Sequence, residues 1–207
     1  VEYVEWDPEN ATKGGYDHFM YKEIHEQPGA LRRTTHGRLN SLSGGVELED
    51  FPRGSFSDVD QVHVVAMGTS HHAGMYAASL LSERGIPAYA FQAGEYSVFQ
   101  PPVTPGTLVL AVSQSGETAD TLDADGRAHS AGARTLAVTN VVGSSLTREC
   151  DDSLLLRAGP EIGVAATKTF SSQVTALTML AERIAEDVSG AKTADSRALT
   201  DAMARLP

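Results

Sequence analysis

Two segments of the chain follow the same order: an apolar run, a short loop rich in glycine and hydroxyl residues, and then a helical pattern. In the first, the apolar residues 62–67 lead into the loop 68–74. In the second, residues 107–112 lead into the loop 113–118, and a helix is expected from Thr118 to about Ser130. Short apolar runs bounded by turns are typical of strands that are buried on both faces. The pattern therefore predicts two strand–loop–helix units of a parallel sheet.

The rest of the chain continues this alternation. The pattern predicts further strands at 88–92, 135–139 and 153–157, a long helix over 164–188, N-terminal helices within 17–39 and a final helix over 194–206. Repeated strand–helix units favour right-handed crossovers and helices on both faces of the sheet. We therefore predict an α/β fold with a five-stranded parallel sheet in a three-layer, flavodoxin-like arrangement. We interpret residues 1–14 as a linker remnant and 15–207 as one domain, with its sheet-and-helix core at 61–190.

The two loops have the composition of an anion site. A helix that starts after each loop directs free N–H groups and the positive end of its dipole into that loop. The hydroxyls of Ser113, Ser115 and Thr118 add donors for phosphate oxygens. The alternative is that the hydroxyls only cap the helices. Because the carboxyl ends of parallel strands meet at one edge of a sheet, the two loops are expected to share a site.

Five motifs resemble a known family. Gly68-Thr69-Ser70, the SQSGET sequence at 113–118 and the EIGVA sequence at 161–165 resemble the sugar isomerase (SIS) domain. The KEIHEQP sequence at 22–28 and the TNVVGSSL sequence at 139–146 resemble the first isomerase half of the isomerizing glutamine:fructose-6-phosphate aminotransferases, or glucosamine-6-phosphate synthases. All five occur in the family's order, so together they are more specific than any one alone. The resemblance covers about residues 13–207.

This resemblance implies a substrate and the residues that bind it. The substrate of the family is fructose 6-phosphate, and its phosphate is expected to contact Ser70, Ser113, Gln114, Ser115 and Thr118, with Thr69 close by. The loop that contains Val164 and Ala166 resembles the stretch whose backbone faces the sugar hydroxyls. Ala166 stands where the family usually has serine, so a side-chain hydrogen bond is missing at that position.

The resemblance also implies that the complete reaction needs segments outside this sequence. In the family, a cysteine in a glutaminase domain releases ammonia, while the base, a lysine and the ring-opening histidine lie largely in a second isomerase half. We therefore expect this chain to bind fructose 6-phosphate or glucose 6-phosphate without catalysing synthesis alone. It is expected to contain no catalytic residue, to need no cofactor, to act together with those domains and to form a homodimer.

Composition excludes several other classes of function. The formal net charge is −11, from 27 acidic and 16 basic residues, which argues against binding to nucleic acid or to an anionic membrane. The apolar runs are shorter than a membrane span, and the first residues do not resemble a signal peptide. The single cysteine, Cys150, allows no internal disulfide. These features predict a cytoplasmic location.

Two further residue pairs are given structural roles. The adjacent His71 and His72 cannot both face one ion on a helix, so no metal site is expected. Glu161 and Lys168 form no expected catalytic couple, because Lys168 is predicted to make an ion pair or to cover apolar surface.

Two alternative functions can be compared with the family assignment. A non-catalytic SIS module that senses a sugar phosphate and regulates a partner would use the same phosphate loop, but the motifs at 22–28 and 161–168 favour the aminotransferase. A dinucleotide-binding oxidoreductase would need G-x-G-x-x-G after the first strand, where this chain has Gly68-Thr69-Ser70-His71.

Overall fold

A computed structural model describes residues 12–40 and 43–207. Its helices in this part of the chain are α1 (Phe19–His25), α2 (Gln27–Thr35), α3 (Gly68–Glu83), α4 (Tyr96–Phe99), α5 (Ala119–Ser130), α6 (Ser145–Glu149), α7 (Lys168–Ser189) and α8 (Ser196–Ala204), with a 3-10 turn at Ala93–Glu95. Its strands are β1 (Leu39–Asn40), β2 (Gly45–Val46), β3 (Gln61–Ala66), β4 (Ala88–Gln92), β5 (Thr107–Ser113), β6 (Arg134–Thr139) and β7 (Asp152–Leu155). Most of the expected linker, residues 1–11, lies outside the described residues.

The main sheet confirms the predicted fold class. Within the described residues, β3 to β7 form a five-stranded sheet in the order β4-β3-β5-β6-β7, and all its neighbouring strands are parallel. This is the strand order of flavodoxin-like folds. The last strand was predicted to extend to Arg157, but β7 ends at Leu155. Arg157 has φ +60°, a left-handed conformation that a strand cannot continue.

Buried side chains alternate between the two faces of the sheet and create three layers. In β5, the side chains of Leu108, Leu110 and Val112 belong to a core that includes residues of α3 and α7. Val109 and Ala111 belong to a second core, which includes Ala124 and Ala128 of α5 together with Leu146 of α6. The strand is buried along its whole length, as its uninterrupted apolar run predicts.

Some elements differ from the predicted pattern. The long helix was expected from Val164, but α7 begins at Lys168, and the residues before it form a loop whose backbone bonds to two carboxylates. The hairpin of β1 and β2 and the short helices α4 and α6 were not predicted, since elements of two to five residues have too little periodicity. Among the described residues, no helix is both long enough and apolar enough to cross a bilayer.

Candidate functional site

The candidate site lies at the carboxyl edge of the sheet, where β3 and β5 are neighbours. Their register pairs Ala66 with Val112, so the chain segments that follow the two strands start side by side. The predicted loop 68–74 is helical, because the 16-residue α3 begins at Gly68 with only Met67 between it and β3, whereas the 12-residue α5 does begin after the predicted loop 113–118. Within the part of the chain that is described, neither helix has a side-chain hydrogen bond at its N-cap. The hydroxyl of Thr118, which is the N-cap residue of α5, therefore does not cap that helix.

The loop 113–118, here called the phosphate loop, is organised by hydrogen bonds among its own residues. Ser113 Oγ accepts the N–H of Gly116 at 3.1 Å and lies 2.8 Å from Thr118 Oγ1. Ser115 Oγ accepts the N–H of Glu117 at 3.2 Å. Ser113 is buried, whereas Gln114, Ser115 and Thr118 are half-buried at the rim. The structure thus brings the predicted residues of this loop together around one turn.

Gly116 is the position at which the turn requires glycine. Its φ is +67°, and a Cβ added there would lie 2.1 Å from Ser144 Oγ and 2.5 Å from Ser144 Cβ. Any side chain would therefore combine an unfavourable backbone conformation with a collision against the segment that precedes α6. The close approach places the phosphate loop against the segment between β6 and α6.

Glu117 connects the same loop to α6. Its carboxylate accepts the backbone N–H of Ser145 at 2.8 Å and the Ser145 hydroxyl at 2.7 Å. These two hydrogen bonds, supported by the charge of Arg148, hold the pKa of Glu117 below its ordinary value. The negative charge beside the phosphate loop is therefore already bound by partners on α6.

The first predicted loop contributes Thr69 and Ser70 from the first turn of α3. Thr69 is exposed, whereas Ser70 is buried. Ser70 Oγ accepts a 2.8 Å hydrogen bond from Nε2 of Gln173, a buried residue of α7. Ser70, Ser113 and Ser115 thus share one feature, because each hydroxyl accepts a hydrogen bond from an N–H group.

The loop 161–167, here called the sugar loop, is held by a carboxylate from α1. The buried Glu23 accepts the N–H of Ile162 at 2.6 Å and that of Gly163 at 3.1 Å. A Cβ at Gly163 would lie 2.5 Å from Glu23 Oε2, so this position has no room for a side chain. In the resulting loop Val164 is fully exposed and Ala166 is half-buried.

Glu161 holds the other end of the sugar loop. Its carboxylate accepts the N–H and the hydroxyl of Thr167 at 2.9 and 3.0 Å and also bonds to Thr169. A carboxylate at this end of the 22-residue α7 satisfies its free N–H groups and its dipole. These bonds explain why the chain is not helical from Val164, as the periodicity predicted.

Lys168 makes the ion pair that was predicted. Its buried Nζ lies 2.5 Å from Glu26 Oε2, and Lys22 Nζ lies 3.4 Å from Glu26 Oε1. Burial opposes ionisation of Glu26, but the bond to Lys168 and the charges of both lysines keep its pKa below the ordinary value. The motif at 22–28 therefore docks α1 onto the start of α7.

Two residues that the prediction did not assign to the site also organise it. Asn140 follows β6 and donates its N–H to the carbonyl of Gln114 at 3.1 Å. Its side chain bonds to Ala158 N and Gly159 O at 2.9 and 2.8 Å. Asn140 therefore ties the phosphate loop to the segment that leads into the sugar loop, and its place directly after a strand was the available signal. Gln173 is the second, and its signal was a polar residue within an apolar helical pattern.

The other chemically notable residues stay outside the site. Among the described residues, no cluster of three or more His, Cys, Asp or Glu side chains has an arrangement suited to a metal ion. His71 and His72 have ring centroids 6.1 Å apart. Cys150 Sγ donates to Asp125 Oδ1 at 3.2 Å. Burial, with the nearby charge of Asp125, raises the pKa of this thiol, so Cys150 is a packing residue rather than a nucleophile.

Comparisons with known proteins agree with this geometry. The SIS domain family model matches residues 55–183, which is more than half of the chain. The glutamine–fructose-6-phosphate aminotransferase (isomerizing) of Halobacterium salinarum is 47% identical over 209 residues, which cover 100% of this chain and 35% of the relative. That of Symbiobacterium thermophilum is 48% identical over 207 residues, which cover 99% of this chain and 34% of the relative. The chain thus spans about a third of the length of these relatives.

A solved structure gives the same result. The C-terminal domain of glucosamine-fructose-6-phosphate aminotransferase from Francisella tularensis superposes with a TM-score of 0.84 at 34% identity. The superposition covers 93% of this chain and 55% of that one. The parallel sheet, the hydroxyl-rich loop and the start of α3 at its carboxyl edge, and the family match lead to one conclusion: the chain belongs to the SIS domain family.

Proposed function

We propose that this chain is the hexose-phosphate-binding domain of an isomerizing glutamine–fructose-6-phosphate aminotransferase. Such an enzyme makes glucosamine 6-phosphate from fructose 6-phosphate and glutamine. The curated relatives with that name match the chain from end to end, although each is about three times as long. The activity of the whole enzyme therefore requires more sequence than this domain contains.

The observation that carries the proposal is the direction of the hydrogen bonds at the serine hydroxyls. Ser70, Ser113 and Ser115 each accept a hydrogen bond from an N–H group, which can only donate. A hydroxyl whose oxygen is occupied in this way can still donate its own proton. In the Ser113–Thr118 pair one proton remains available whichever oxygen accepts. Phosphate oxygens only accept, so the pattern suits a phosphate group better than a cation or an apolar ligand.

The rest of the proposed site follows from the two loops. Thr69 and the exposed N–H groups at the starts of α3 and α5 add donors and the positive ends of two helix dipoles. Gln114 lies on the rim of the phosphate loop. The backbone near Val164 and Ala166 would face the sugar hydroxyls, while the substrate's phosphate would occupy the loop 113–118.

The reaction assigned to the family needs partners for this domain. A glutaminase domain would supply ammonia, and a second SIS domain would supply the base, the lysine and the ring-opening histidine. Glu161 and Lys168 are engaged by the start of α7 and by Glu26, which supports a binding role rather than acid–base chemistry. We expect the domain to work as part of a homodimer and to produce no glucosamine 6-phosphate by itself.

Calorimetric titration of the purified chain tests the proposal. Fructose 6-phosphate and glucose 6-phosphate are titrated into the wild type and into a Ser115→Ala, Thr118→Ala double variant, with NAD as the negative control. We expect hexose phosphate binding that is weakened at least tenfold in the variant. Binding of NAD alone, or hexose phosphate binding that the variant leaves unchanged, would contradict the proposal.

A further inference from the structure

Gln173 lies outside the phosphate loop and the sugar loop, but it contacts Ser70, one of the residues proposed to bind the phosphate. It lies on α7, is 1% exposed, and its Nε2 donates to Ser70 Oγ at 2.8 Å. We propose that Gln173 is a positioning residue that orients the Ser70 hydroxyl toward the phosphate of a bound hexose phosphate. This inference rests on the proposed function, since it assigns Ser70 to the phosphate.

The argument depends on which group donates. A serine hydroxyl has one proton and two acceptor lone pairs, while the NH₂ group of glutamine can only donate. When Gln173 fills an acceptor position of Ser70 Oγ, the hydroxyl proton is left for another acceptor. Among the described residues, the hydrogen bond from Gln173 is the one that the Ser70 side chain makes. The proton is therefore free for the ligand.

The other two serines show why Ser70 needs a side-chain donor. Ser113 and Ser115 receive backbone N–H groups from the turn that contains them. Ser70 instead lies in the first turn of α3, where the N–H of the next residue, His71, bonds to the carbonyl of Met67. At Ser70 the hydroxyl therefore accepts its hydrogen bond from a side chain of another helix, with the donor on α7 and the acceptor on α3. A backbone donor can be removed only by proline, which also constrains the backbone, whereas the side chain of Gln173 can be replaced without that constraint.

The location of Gln173 on α7 also links the Ser70 hydroxyl to the sugar loop. It lies on the helix that begins directly after the sugar loop and whose start is bound by Glu161. A movement of α7 would therefore change both the sugar loop and the donor that orients Ser70. In this way the groups that bind the two ends of the ligand would both be positioned by α7.

A double-mutant cycle separates this role from a purely structural one. The variants are Gln173→Met, which keeps the side-chain length without a donor, Ser70→Ala, and both together, and the Kd for fructose 6-phosphate is measured by calorimetry. Ser172→Ala is the matched control, because its buried hydroxyl on the same helix has no partner among the described residues. Melting temperatures confirm that each variant is folded.

We expect Ser70→Ala to raise the Kd about tenfold to a hundredfold and Gln173→Met to raise it about 3- to 10-fold. In the Ser70→Ala background, Gln173→Met should change the Kd by less than about twofold, because its effect passes through Ser70. Ser172→Ala should leave the Kd unchanged. A structural role would instead weaken binding equally in both backgrounds.

Two results overturn the inference and leave the proposed function standing. One is a Gln173→Met variant that binds like the wild type, and the other is an effect of Gln173→Met that is the same with and without Ser70, in both cases while Ser115→Ala, Thr118→Ala weakens binding. A wild-type chain that binds no hexose phosphate overturns both the proposed function and the role of Gln173.

Discussion

The two loops of the candidate site are held in place by different means. The phosphate loop is held by the hydroxyls of Ser113 and Ser115, which bind backbone N–H groups within the same turn, and by the backbone N–H groups of Asn140 and Leu146, which follow β6. The sugar loop depends on Glu23 of α1, whose carboxylate binds backbone N–H groups 139 and 140 positions further along the chain. Neutral hydroxyls and backbone bonds hold one loop, whereas two carboxylates hold the other, Glu161 within the loop itself and Glu23 at long range.

This difference shows how the two parts of a ligand would be recognised. A phosphate needs several fixed donors, which a short turn at a helix start can provide by itself. The sugar loop carries few polar side chains, so its shape depends on the carboxylates of Glu161 and Glu23. We therefore expect substitutions in the phosphate loop to affect any phosphorylated ligand, and those at the α1 contact to affect the sugar selectively.

The largest effect is expected at Gly116, which permits the local turn. Gly116→Ala places a Cβ against Ser144 at a φ of +67°, and should lower the free energy of unfolding by about 2–4 kcal/mol. Gly126→Ala is the matched control, because that position in α5 has no atom within 4 Å of an added Cβ. It should raise stability by about 0.5–1 kcal/mol. Urea unfolding checks both, and equal stability of the two variants would contradict the account of the turn.

The next effect is expected at the long-range contact. Glu23→Ala leaves the N–H groups of Ile162 and Gly163 without their acceptor, and should lower the free energy of unfolding by about 2 kcal/mol. Fructose 6-phosphate binding should weaken about tenfold, while inorganic phosphate should bind as before. Asp123→Ala, which removes an exposed ion pair with Arg127, should change stability by less than about 0.5 kcal/mol. If Glu23→Ala weakened the binding of fructose 6-phosphate and of inorganic phosphate equally, the two loops would not bind separate parts of the ligand.

Thr118→Val tests the phosphate loop instead of the sugar loop. It removes the hydroxyl bound to Ser113 and keeps the shape of the side chain. We expect about 1 kcal/mol lower stability and about tenfold weaker binding of both fructose 6-phosphate and inorganic phosphate. Thr121→Val on the same helix is its control, because the buried Thr121 hydroxyl has no partner among the described residues. A Thr118→Val variant that loses only one of the two ligands would contradict the assignment of the phosphate loop.

The smallest effect concerns pH. The pKa of Glu26 in the folded chain lies below the ordinary 4.5, so its ion pair with Lys168 contributes stability above that value. The contribution is lost as the pH falls through the folded pKa. The stability difference between wild type and Glu26→Gln should therefore be constant near pH 7 and shrink in acid, whereas that for Ser113→Ala should not depend on pH. Urea unfolding at pH 7 and in acid measures both, and a Glu26→Gln difference that grows in acid would contradict the ion pair.

The sequence predicted most of the fold because its signals are local. The apolar runs of β3 and β5 and the glycine- and hydroxyl-rich loop after β5 each act within a few residues. The parallel sheet with helices on both faces could be predicted because repeated strand–helix units with crossovers of one hand leave few alternatives. These features also predicted the turn at 113–118 that follows β5.

What the sequence could not predict depends on contacts between distant segments. The start of α7 was misplaced because Glu161 and Glu23 bind the backbone before Lys168, which periodicity does not show. The contact from Gln173 to Ser70 joins positions 103 apart. Arg157 in a left-handed conformation ended β7 early. In each case a tertiary contact or a backbone conformation overrode the local pattern.

Amide hydrogen exchange is the most direct test of the comparison between the loops. Protection is measured at Gly116 and Glu117 in the phosphate loop and at Ile162 and Gly163 in the sugar loop, for the free chain, with inorganic phosphate, and with fructose 6-phosphate. The account predicts that inorganic phosphate increases protection in the phosphate loop alone, while fructose 6-phosphate increases it in both loops. Protection of the sugar loop by inorganic phosphate alone, or of neither loop by fructose 6-phosphate, would contradict it.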